Sequence, residues 1–293
     1  MPSPRVAIAT CAERPDGAVE GGLLLDALRA RGVEATTAVW SELPAGWEDF
    51  DAVVVRATWD YPAAPARFLR WTEEIGARLH NAPDVIAWNV DKAYLFDLER
   101  AGMPIVGGDI VGPGAAFEPP PGRFVVKPTV SAGARDTAVY DGERHGAARA
   151  HVAGLHGAGR AVLVQPYYER VQTEAETAVV FIDGELSHAM RKEPLLSLDQ
   201  ASADGLYREE TMSRRDAEPD VADLARRAHA HVSERFGRPL YARVDVLRDD
   251  GGRPAVLELE LIEPSLFIDF APGSADALAG AIVRRVDEPR SIA

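Results

Sequence analysis

The chain of 293 residues lacks the features of exported, membrane-bound and nucleic-acid-binding proteins. Its single cysteine, Cys11, can form neither an internal disulfide nor a zinc cluster. It has no signal-peptide core and no apolar run of membrane-spanning length, so we expect a soluble cytoplasmic protein. Its 32 basic residues stand against 46 acidic ones, and a formal charge of −14 disfavours nucleic acid and anionic lipid as partners. We expect a small-molecule partner, with a homo-oligomer left open.

Lysine is also scarce, because 29 of the basic residues are Arg and only three are Lys: Lys92, Lys127 and Lys192. A solvated salt bridge accepts either residue, whereas a planar guanidinium cannot replace a compact ammonium at a tight phosphate site. The lysines therefore indicate either functional positions or chance survivors of a coding bias. Their local context has to decide between these.

The first segment alternates strand and helix patterns. RVAIAT and DAVVVRAT are typical of buried strands, and EGGLLLDALRARG between them is typical of an amphipathic helix. This order predicts an α/β lobe with parallel strands. A cluster of polar and aromatic residues follows the second strand, where parallel sheets usually bind ligands: Arg56, Thr58, Trp59, Asp60 and Tyr61. Thr58, Trp59 and Asp60 are predicted substrate contacts.

The rest of the chain predicts two further units. A Gly- and Pro-rich linker at 109–121 precedes FVVKP, DTAVY and AVLVQPYY, which with one helix form a unit of lid size. Two hairpins then turn at Asp183-Gly184 and at 249–252, separated by a polar loop at 193–219 and a helix. The second half therefore predicts an antiparallel sheet.

The last hairpin carries acids in otherwise apolar strands. Glu258 and Glu260 share one strand face, and Asp245 on the paired strand can face them, with Arg243 pointing the same way. Close carboxylates need a cation, and an all-oxygen set suits Mg²⁺. The alternative is a solvated polar face of the hairpin. The lack of cross-strand lysines favours the metal site.

Two other segments fit nucleotide chemistry, although each is weak alone. Lys127 stands before a turn of small residues, Ser131, Ala132 and Gly133, whose backbone N–H groups can approach phosphate oxygens. An ordinary hairpin with a flexible turn would look the same. The strand VLVQPYY leaves regular pairing at Gln165, Pro166 and Tyr167, which could free backbone groups for an adenine edge or simply form an interlobe hinge.

Six segments, taken in order, resemble the ATP-grasp superfamily over roughly residues 81–270: DKAYLFDLERAGMPIV, FVVKPTVSAGARD, VLVQPYY, ETAVVFIDGELSHAMRKEP, ARVDVL and VLELELIEPSLF. The resemblance implies a three-lobed α/β fold. Residues 1–88 would form an N-terminal parallel α/β lobe, 89–168 a linker helix and small central lid, and 169–293 a C-terminal antiparallel-sheet lobe with the Mg²⁺ site.

The resemblance also implies residue roles. Lys92 and Lys127 would bind the phosphates of ATP beneath a mobile loop of Ser131, Ala132 and Gly133. Gln165, Pro166 and Tyr167 would hold the adenine, and Glu176 the ribose. Asp245, Glu258 and Glu260 would bind two Mg²⁺ ions, although many relatives have asparagine at the position of Glu260. Arg243 would steady the transferring phosphoryl group.

Substrate contacts are expected near the phosphates, from His188, Lys192 and Arg208. A guanidinium suits bidentate contact with carboxylate or phosphate, and Arg191 joins Arg243 and Lys127 as a catalytic candidate. His188 could equally be structural.

Within the superfamily, RATWDYP, HNAPDVIAWNVDKAYL and FIDGELSHAMRKEP resemble the branch of the D-cycloserine-forming cyclo-ligase, which takes part in antibiotic biosynthesis and is distantly similar to glutathione synthetase. This implies a ligase that activates an amino-acid-derived carboxylate as an acyl phosphate, which a nitrogen captures. In that cyclo-ligase, O-ureido-D-serine closes on itself. The alternatives are an amide or peptide ligase of the glutathione synthetase type, a small-molecule kinase, and a non-catalytic ATP-binding module.

Overall fold

The computed structural model describes residues 3–42, 46–194 and 211–287. Arg208, a predicted substrate contact, lies outside the described residues. The first elements are β1 (Arg5–Thr10), α1 (Ala18–Arg29), β2 (Glu34–Val39), β3 (Ala52–Ala57), α2 (Pro65–Ile75), β4 (Leu79–His80), α3 (Pro83–Asn89) and α4 (Tyr94–Arg100). The strands form a parallel sheet in the order β2-β1-β3-β4, as the alternating pattern predicts.

The lid follows as a second sheet covered by one helix. Its elements are β5 (Asp109–Val111), β6 (Phe124–Pro128), β7 (Ala138–Tyr140), α5 (His145–Gly157) and β8 (Val162–Pro166). The strands are antiparallel in the order β5-β8-β6-β7. Phe124 and Val126 on β6 pack against Val152 and Leu155 of α5 in a core of the lid's own.

The C-terminal lobe is an antiparallel sheet in the order β11-β10-β9-β12-β13. Its elements are α6 (Val171–Glu174), β9 (Glu176–Ile182), β10 (Glu185–Lys192), β11 (Met212–Arg214), α7 (Pro219–Phe236), β12 (Tyr241–Arg248), β13 (Pro254–Glu260) and α8 (Ser274–Asp287). Both predicted hairpins are confirmed. Asp183 and Gly184 both have positive φ, 51° and 91°, which a two-residue hairpin turn of this kind requires.

Two short strands lie in segments that we predicted to be irregular. β5 falls in the 109–121 linker, and β11 falls in the 193–219 loop. Each adds to the edge of a sheet, beside β8 and β10 respectively. An edge strand is held by backbone hydrogen bonds to a neighbour that is distant in sequence, so its own side chains need show no apolar alternation.

One apolar core joins the N-terminal and C-terminal lobes. On one face of the large sheet, β1, α1 and α8 pack against alternate residues of β9, namely Ala178, Val180 and Ile182. On the other face, α7 packs against Val179 and Phe181. A sheet covered on both faces has continuous apolar strands, and β9 shows this pattern. No helix in the described part of the chain is both long enough and apolar enough to span a bilayer.

Both asparagines of the chain are buried and join the segment before the lid to the large sheet. Asn81 donates to the carbonyls of Tyr241 and Leu261, at 2.9 and 2.8 Å, and accepts from the Leu240 N–H at 2.6 Å. Asn89 donates to the carbonyl of Leu259 and accepts from the N–H of Leu261. These amides satisfy buried backbone groups at the start of β12 and at the end of β13, where the hydrogen bonds between the two strands stop.

We expect Asn81→Ala to lower the free energy of unfolding by about 3 kcal/mol, because it leaves buried backbone donors and acceptors unpaired. Chemical denaturation measures this, with Glu73→Ala on the exposed face of α2 as the control. A loss no larger than that of the control would show that water replaces the amide without cost.

Candidate active site

A cavity of about 510 Å³ lies where the three lobes meet, and residues of all three line it. This volume is in the range of small-molecule sites. All three lysines of the chain line it, and Lys92, Lys127 and Lys192 are 5%, 7% and 6% exposed. Since lysine is almost never so buried without a partner, this shared placement argues against chance survival of the three residues.

Lys92 joins the lid to the acidic hairpin. Its Nζ donates to the backbone carbonyl and the hydroxyl of Ser131, at 3.1 and 3.0 Å, and lies 3.1 Å from Glu258 Oε1. Ser131 begins the predicted phosphate loop, and Ala132 and Gly133 also line the cavity. Gly133 has φ 62°, a conformation that a side chain would strain.

Lys127 reaches the cavity from β6, and its hydrogen bonding differs from that of the other two lysines. In the described part of the chain, no acceptor is hydrogen-bonded to its ammonium, although Lys92 and Lys192 are both paired. Burial lowers the pKa of Lys127, against the opposing charge of Glu258. A buried cation of this kind has its charge available for an anionic ligand.

The predicted acidic hairpin forms with the expected register. Asp245 lies opposite Glu258 and Arg243 opposite Glu260, across β12 and β13. The Arg243 guanidinium donates to both oxygens of Asp245, at 2.8 and 2.9 Å, and also to Glu260. Lys192 donates to Asp245 at 2.8 Å. The carboxylates are therefore each paired with a cation from this chain.

These pairings shift the acid pKa values in opposite directions. Burial acts to raise the pKa of Asp245, but the charges and hydrogen bonds of Arg243 and Lys192 outweigh it and lower that pKa to about 2. Burial raises the pKa of Glu260 to about 7; Arg243 opposes the shift, while the negative charges of Glu258 and Asp245 add to it. The adjacent cations thus stabilise the charged form of Asp245, whereas burial and the neighbouring acids favour the protonated form of Glu260.

The sequence predicted that Asp245, Glu258 and Glu260 converge as a Mg²⁺ site. Among the described residues, no three His, Cys, Asp or Glu side chains are grouped as a metal site. Lys92, Lys192 and Arg243 stand between the carboxylates and neutralise them instead. The donor set still suits Mg²⁺, because all its atoms are carboxylate oxygens.

The opposite end of the cavity is more apolar. Gln165 donates from Nε2 to the carbonyl of Val106 at 2.6 Å, so its side chain braces the junction between lid and linker. Pro166 and Tyr167 line the cavity, together with apolar residues that the sequence did not single out: Val106, Val125, Leu247 and Leu257. Glu176 also lines the cavity, 3.2 Å from Lys192 Nζ.

The first lobe contributes a different set from the one predicted. Trp59 lines the cavity, and its indole N–H donates to the Glu263 carbonyl at 3.3 Å. Thr58 is fully buried outside the lining, and Asp60 accepts from Trp40 at 2.6 Å. Side chains alternate along the chain after β3, so only some of a contiguous cluster can face one cavity.

Two residues of β10 also lie away from the cavity. Arg191, a catalytic candidate, is on the opposite sheet face from Lys192 and pairs with Glu193 at 2.7 Å. His188 Nε2 is 2.7 Å from the carbonyl oxygen of Leu266, and the other ring nitrogen, Nδ1, is 2.9 Å from the hydroxyl of Ser187. The structural alternative for His188 therefore matches its position.

Four charged residues of the lining had no predicted role: Glu20, Arg56, Glu263 and the exposed Asp269. Glu20 accepts from Arg56 and from the backbone N–H groups of Leu266 and Phe267. The sequence held a signal for two of them. Glu20 is an acid in the first turn of an apolar helix, and Glu263 is an acid that directly follows two buried apolar residues after β13.

Comparison with known proteins gives consistent results. Residues 6–81 match the family described as D-cycloserine synthetase DcsG, N-terminal domain. The cycloserine biosynthesis protein DcsG of Streptomyces lavendulae is 34% identical over 281 residues, which cover 90% of this chain and 92% of that protein. The crystal structure of D-cycloserine synthetase DcsG superposes with a TM-score of 0.87 at 33% identity, covering 97% of this chain and 100% of that one.

A more distant structure shares the fold alone. D-alanine–D-alanine ligase from Bacillus anthracis, complexed with ATP, superposes with a TM-score of 0.69 at 15% identity over 97% of each chain.

The position of His188 generates a pH prediction. Burial lowers the pKa of His188 below its ordinary 6.5, so the imidazole ring of the unfolded chain takes up a proton more readily than the ring in the folded chain. The stability from the neutral ring is present above pH 6.5 and is lost as the pH falls below it. We expect His188→Gln to flatten the decline in unfolding free energy between about pH 7.5 and about pH 5.5. Ser187→Ala, which removes a ring partner but no titrating group, should keep the wild-type slope, and an equal slope for His188→Gln would contradict the assignment.

Proposed function

The chain belongs to the DcsG family of ATP-grasp ligases, and on that premise we propose that it joins an amino-acid-derived carboxylate to a nitrogen within the same molecule. The proposed substrate is O-ureido-D-serine and the proposed product D-cycloserine. The observation that carries the proposal is that every lysine of the chain is buried in one cavity, beside Arg243 and the carboxylates of β12 and β13.

The reaction divides into three balanced steps. The substrate carboxylate oxygen attacks the γ-phosphorus of ATP, and the bond to the β-phosphate oxygen breaks to leave ADP and an acyl phosphate. The ureido nitrogen bonded to oxygen then attacks the acyl carbon, phosphate leaves with the bonding pair, and the nitrogen loses its proton, which gives an N-carbamoyl ring. Water then cleaves the bond between the ring nitrogen and the carbamoyl carbon, which releases CO2 and NH3 and leaves D-cycloserine. Phosphorylation is needed because a free carboxylate is a poor electrophile. Such a reaction depends mainly on positioning and on neutralising the charge of the phosphoryl group.

Lys127 is suited to the phosphate oxygens, because its ammonium is buried without an acceptor among the described residues. Lys92 ties the Ser131–Gly133 loop to Glu258 and can follow the loop as it approaches the nucleotide. Arg243 is held by its bonds to Asp245, Glu260 and the carbonyl of Ser265, so its guanidinium is oriented before substrate arrives. An orientation fixed beforehand costs no reorganisation during the reaction.

Asp245, Glu258 and Glu260 are the residues that would hold Mg²⁺, and two ions are proposed. When bound, Mg²⁺ would neutralise phosphate charge and help to align the ATP phosphates. The carboxylate oxygens of these residues, which line one part of the cavity, are the ligands that Mg²⁺ prefers and support the assignment.

Apolar residues of the lid and of β12 and β13 would hold the adenine. Val125, Leu247 and Leu257 form an apolar end of the cavity, and Gln165 fixes the adjoining backbone. This end suits a flat base, whereas the charged end suits phosphates.

The test is ADP and phosphate release with Mg-ATP and a panel of amino-acid-derived carboxylates, including O-ureido-D-serine, each with and without added amines. We expect release with O-ureido-D-serine that needs no amine, together with a cyclic product identified by mass spectrometry. Amine dependence would instead indicate an amide or peptide ligase, a stable phosphorylated product would indicate a kinase, and ATP binding without release would indicate a binding module.

Asp245→Asn should reduce substrate-dependent ADP release by about 100-fold or more, because it removes the charge that orients Arg243 and a proposed Mg²⁺ ligand. Asp276→Asn makes the same chemical change on an exposed part of α8 and should retain activity. Comparable activity of the two variants would refute the role of Asp245.

Lys127→Gln should weaken ATP binding by about 10-fold or more, since it removes a buried cation proposed to contact phosphate. Calorimetry of the protein with ATP and Mg²⁺ measures the affinity. Arg149→Gln removes one positive charge from the outer surface of the lid, where Arg149 pairs with Glu118, and controls for net charge. If both variants bind ATP alike, Lys127 does not contact the nucleotide.

A further inference from the structure

The charged residues that line the cavity are paired with one another, with two buried exceptions. Arg56 pairs with Glu20, Lys92 with Glu258, and Lys192 and Arg243 with Asp245. The first exception is Lys127. The second is Glu263, which is 8% exposed, and no donor in the described part of the chain is hydrogen-bonded to its carboxyl group. A buried cation and a buried acid are thus both left to a ligand.

The backbone around Glu263 is fixed by side chains from two lobes. The carbonyls of residues 263, 264 and 265 accept, in that order, from Trp59 at 3.3 Å, Arg56 at 2.8 Å and Arg243 at 3.0 Å. The next two backbone N–H groups both donate to Glu20. The backbone that carries Glu263 is therefore held in place before a ligand arrives, which suits a specificity-determining group.

The surroundings of Glu263 favour a positively charged ligand. Burial raises the pKa of this carboxyl well above its usual range, and the negative charges of Glu260 and Glu258 add to the shift. The positive charges of Lys92 and Arg243 oppose the shift without reversing it. A carboxylate without a hydrogen-bonded cation is costly in such a place. A ligand that supplies both a positive charge and N–H donors would remove that cost.

The position also limits which cation can bind. Glu263 lines the same cavity as Arg243. If Arg243 steadies the transferring phosphoryl group, as the family resemblance implies, the substrate carboxylate that attacks this group lies beside it. In an α-amino acid, the ammonium nitrogen lies within about 3 Å of the carboxylate oxygens, because only two carbon atoms separate them. An α-ammonium can therefore reach Glu263 while its carboxylate stays at the charged end.

We propose that Glu263 binds the α-ammonium group of the substrate and so selects α-amino carboxylates over carboxylates that lack the amino group. This inference rests on the proposed function, because it takes the reacting group to be a carboxylate held near Arg243. It assigns the ring-closing nitrogen and the recognised nitrogen to different atoms of the substrate. The recognised nitrogen stays charged and bound while the other reacts.

The experiment compares O-ureido-D-serine with its analogue that lacks the α-amino group, in the wild type, Glu263→Gln and Glu263→Asp. Two readouts are taken: kcat/KM from ADP release, and the Kd of each compound from calorimetry with ADP and Mg²⁺ present. ATP affinity of each variant reports whether the cavity still folds. Glu185→Gln, at the exposed first residue of β10, is the matched control.

We expect the wild type to favour the amino compound by about 100-fold in both readouts, as a site built around a charged group rejects an analogue lacking it. Glu263→Gln should lose most of that preference by weakening the amino compound alone, and Glu263→Asp should be intermediate. A Glu263→Gln variant that keeps the preference, or that weakens both compounds equally, would overturn the proposal.

The two readouts separate this inference from the proposed function. If the wild type binds the amino compound selectively through Glu263 but releases no ADP, the ligase reaction fails and the Glu263 assignment stands. If ADP is released but the preference does not depend on Glu263, the reaction stands and the assignment fails. A wild type that binds both compounds equally overturns the assignment.

Discussion

Charge that is buried must be neutralised, and this constraint determines the arrangement of the cavity. Five cations and six acids that are buried or partly buried line it, and most of them pair with one another. Lys92 links the segment before the lid to β13, Lys192 links β10 to β12, and Arg56 links the first lobe to the segment after β13. Removing one partner would leave an uncompensated charge, so these residues act as a connected set. The excess of acid makes the cavity receptive to cations, while Lys127 makes one part of it receptive to phosphate.

The scaffold keeps this set in place through two different kinds of contact. The first and last lobes share one apolar core around β9 and are joined by the amides of Asn81 and Asn89. The lid instead has its own core, and it meets the remainder of the site through Lys92 and Gln165. A lid with a separate core can move as a unit without disturbing the sheet that holds Arg243 and the acids. Rigid acidic strands and a separately packed phosphate loop suit a nucleotide that must enter before the site closes.

Much of the fold follows from local patterns. The parallel lobe, the small lid and both hairpins were predicted, since each depends on periodicity or on turn residues such as Asp183 and Gly184. The edge strands β5 and β11 were not, because partners distant in sequence stabilise them. In the site, the three lysines, Arg243, Asp245, Glu258 and Glu260 were found from composition and strand alternation, and the structure brings them to one cavity. Arg191, Thr58 and Asp60 were near in sequence but face elsewhere, since neighbouring side chains leave the backbone in different directions.

The sequence by itself determined which chemical groups are available: few lysines, acids in apolar strands, and a turn of small residues after β6. Tertiary structure alone decided which of those groups pair. The acids that alternation placed on one face pair with Arg243 of the same hairpin and with Lys92 and Lys192, which arrive from elements far away along the chain. The same packing leaves Lys127 and Glu263 buried with no hydrogen-bonded partner in the described residues. Pairing depends on distances between atoms that no local pattern encodes, and so the free charges of this cavity appear only when the lobes are assembled.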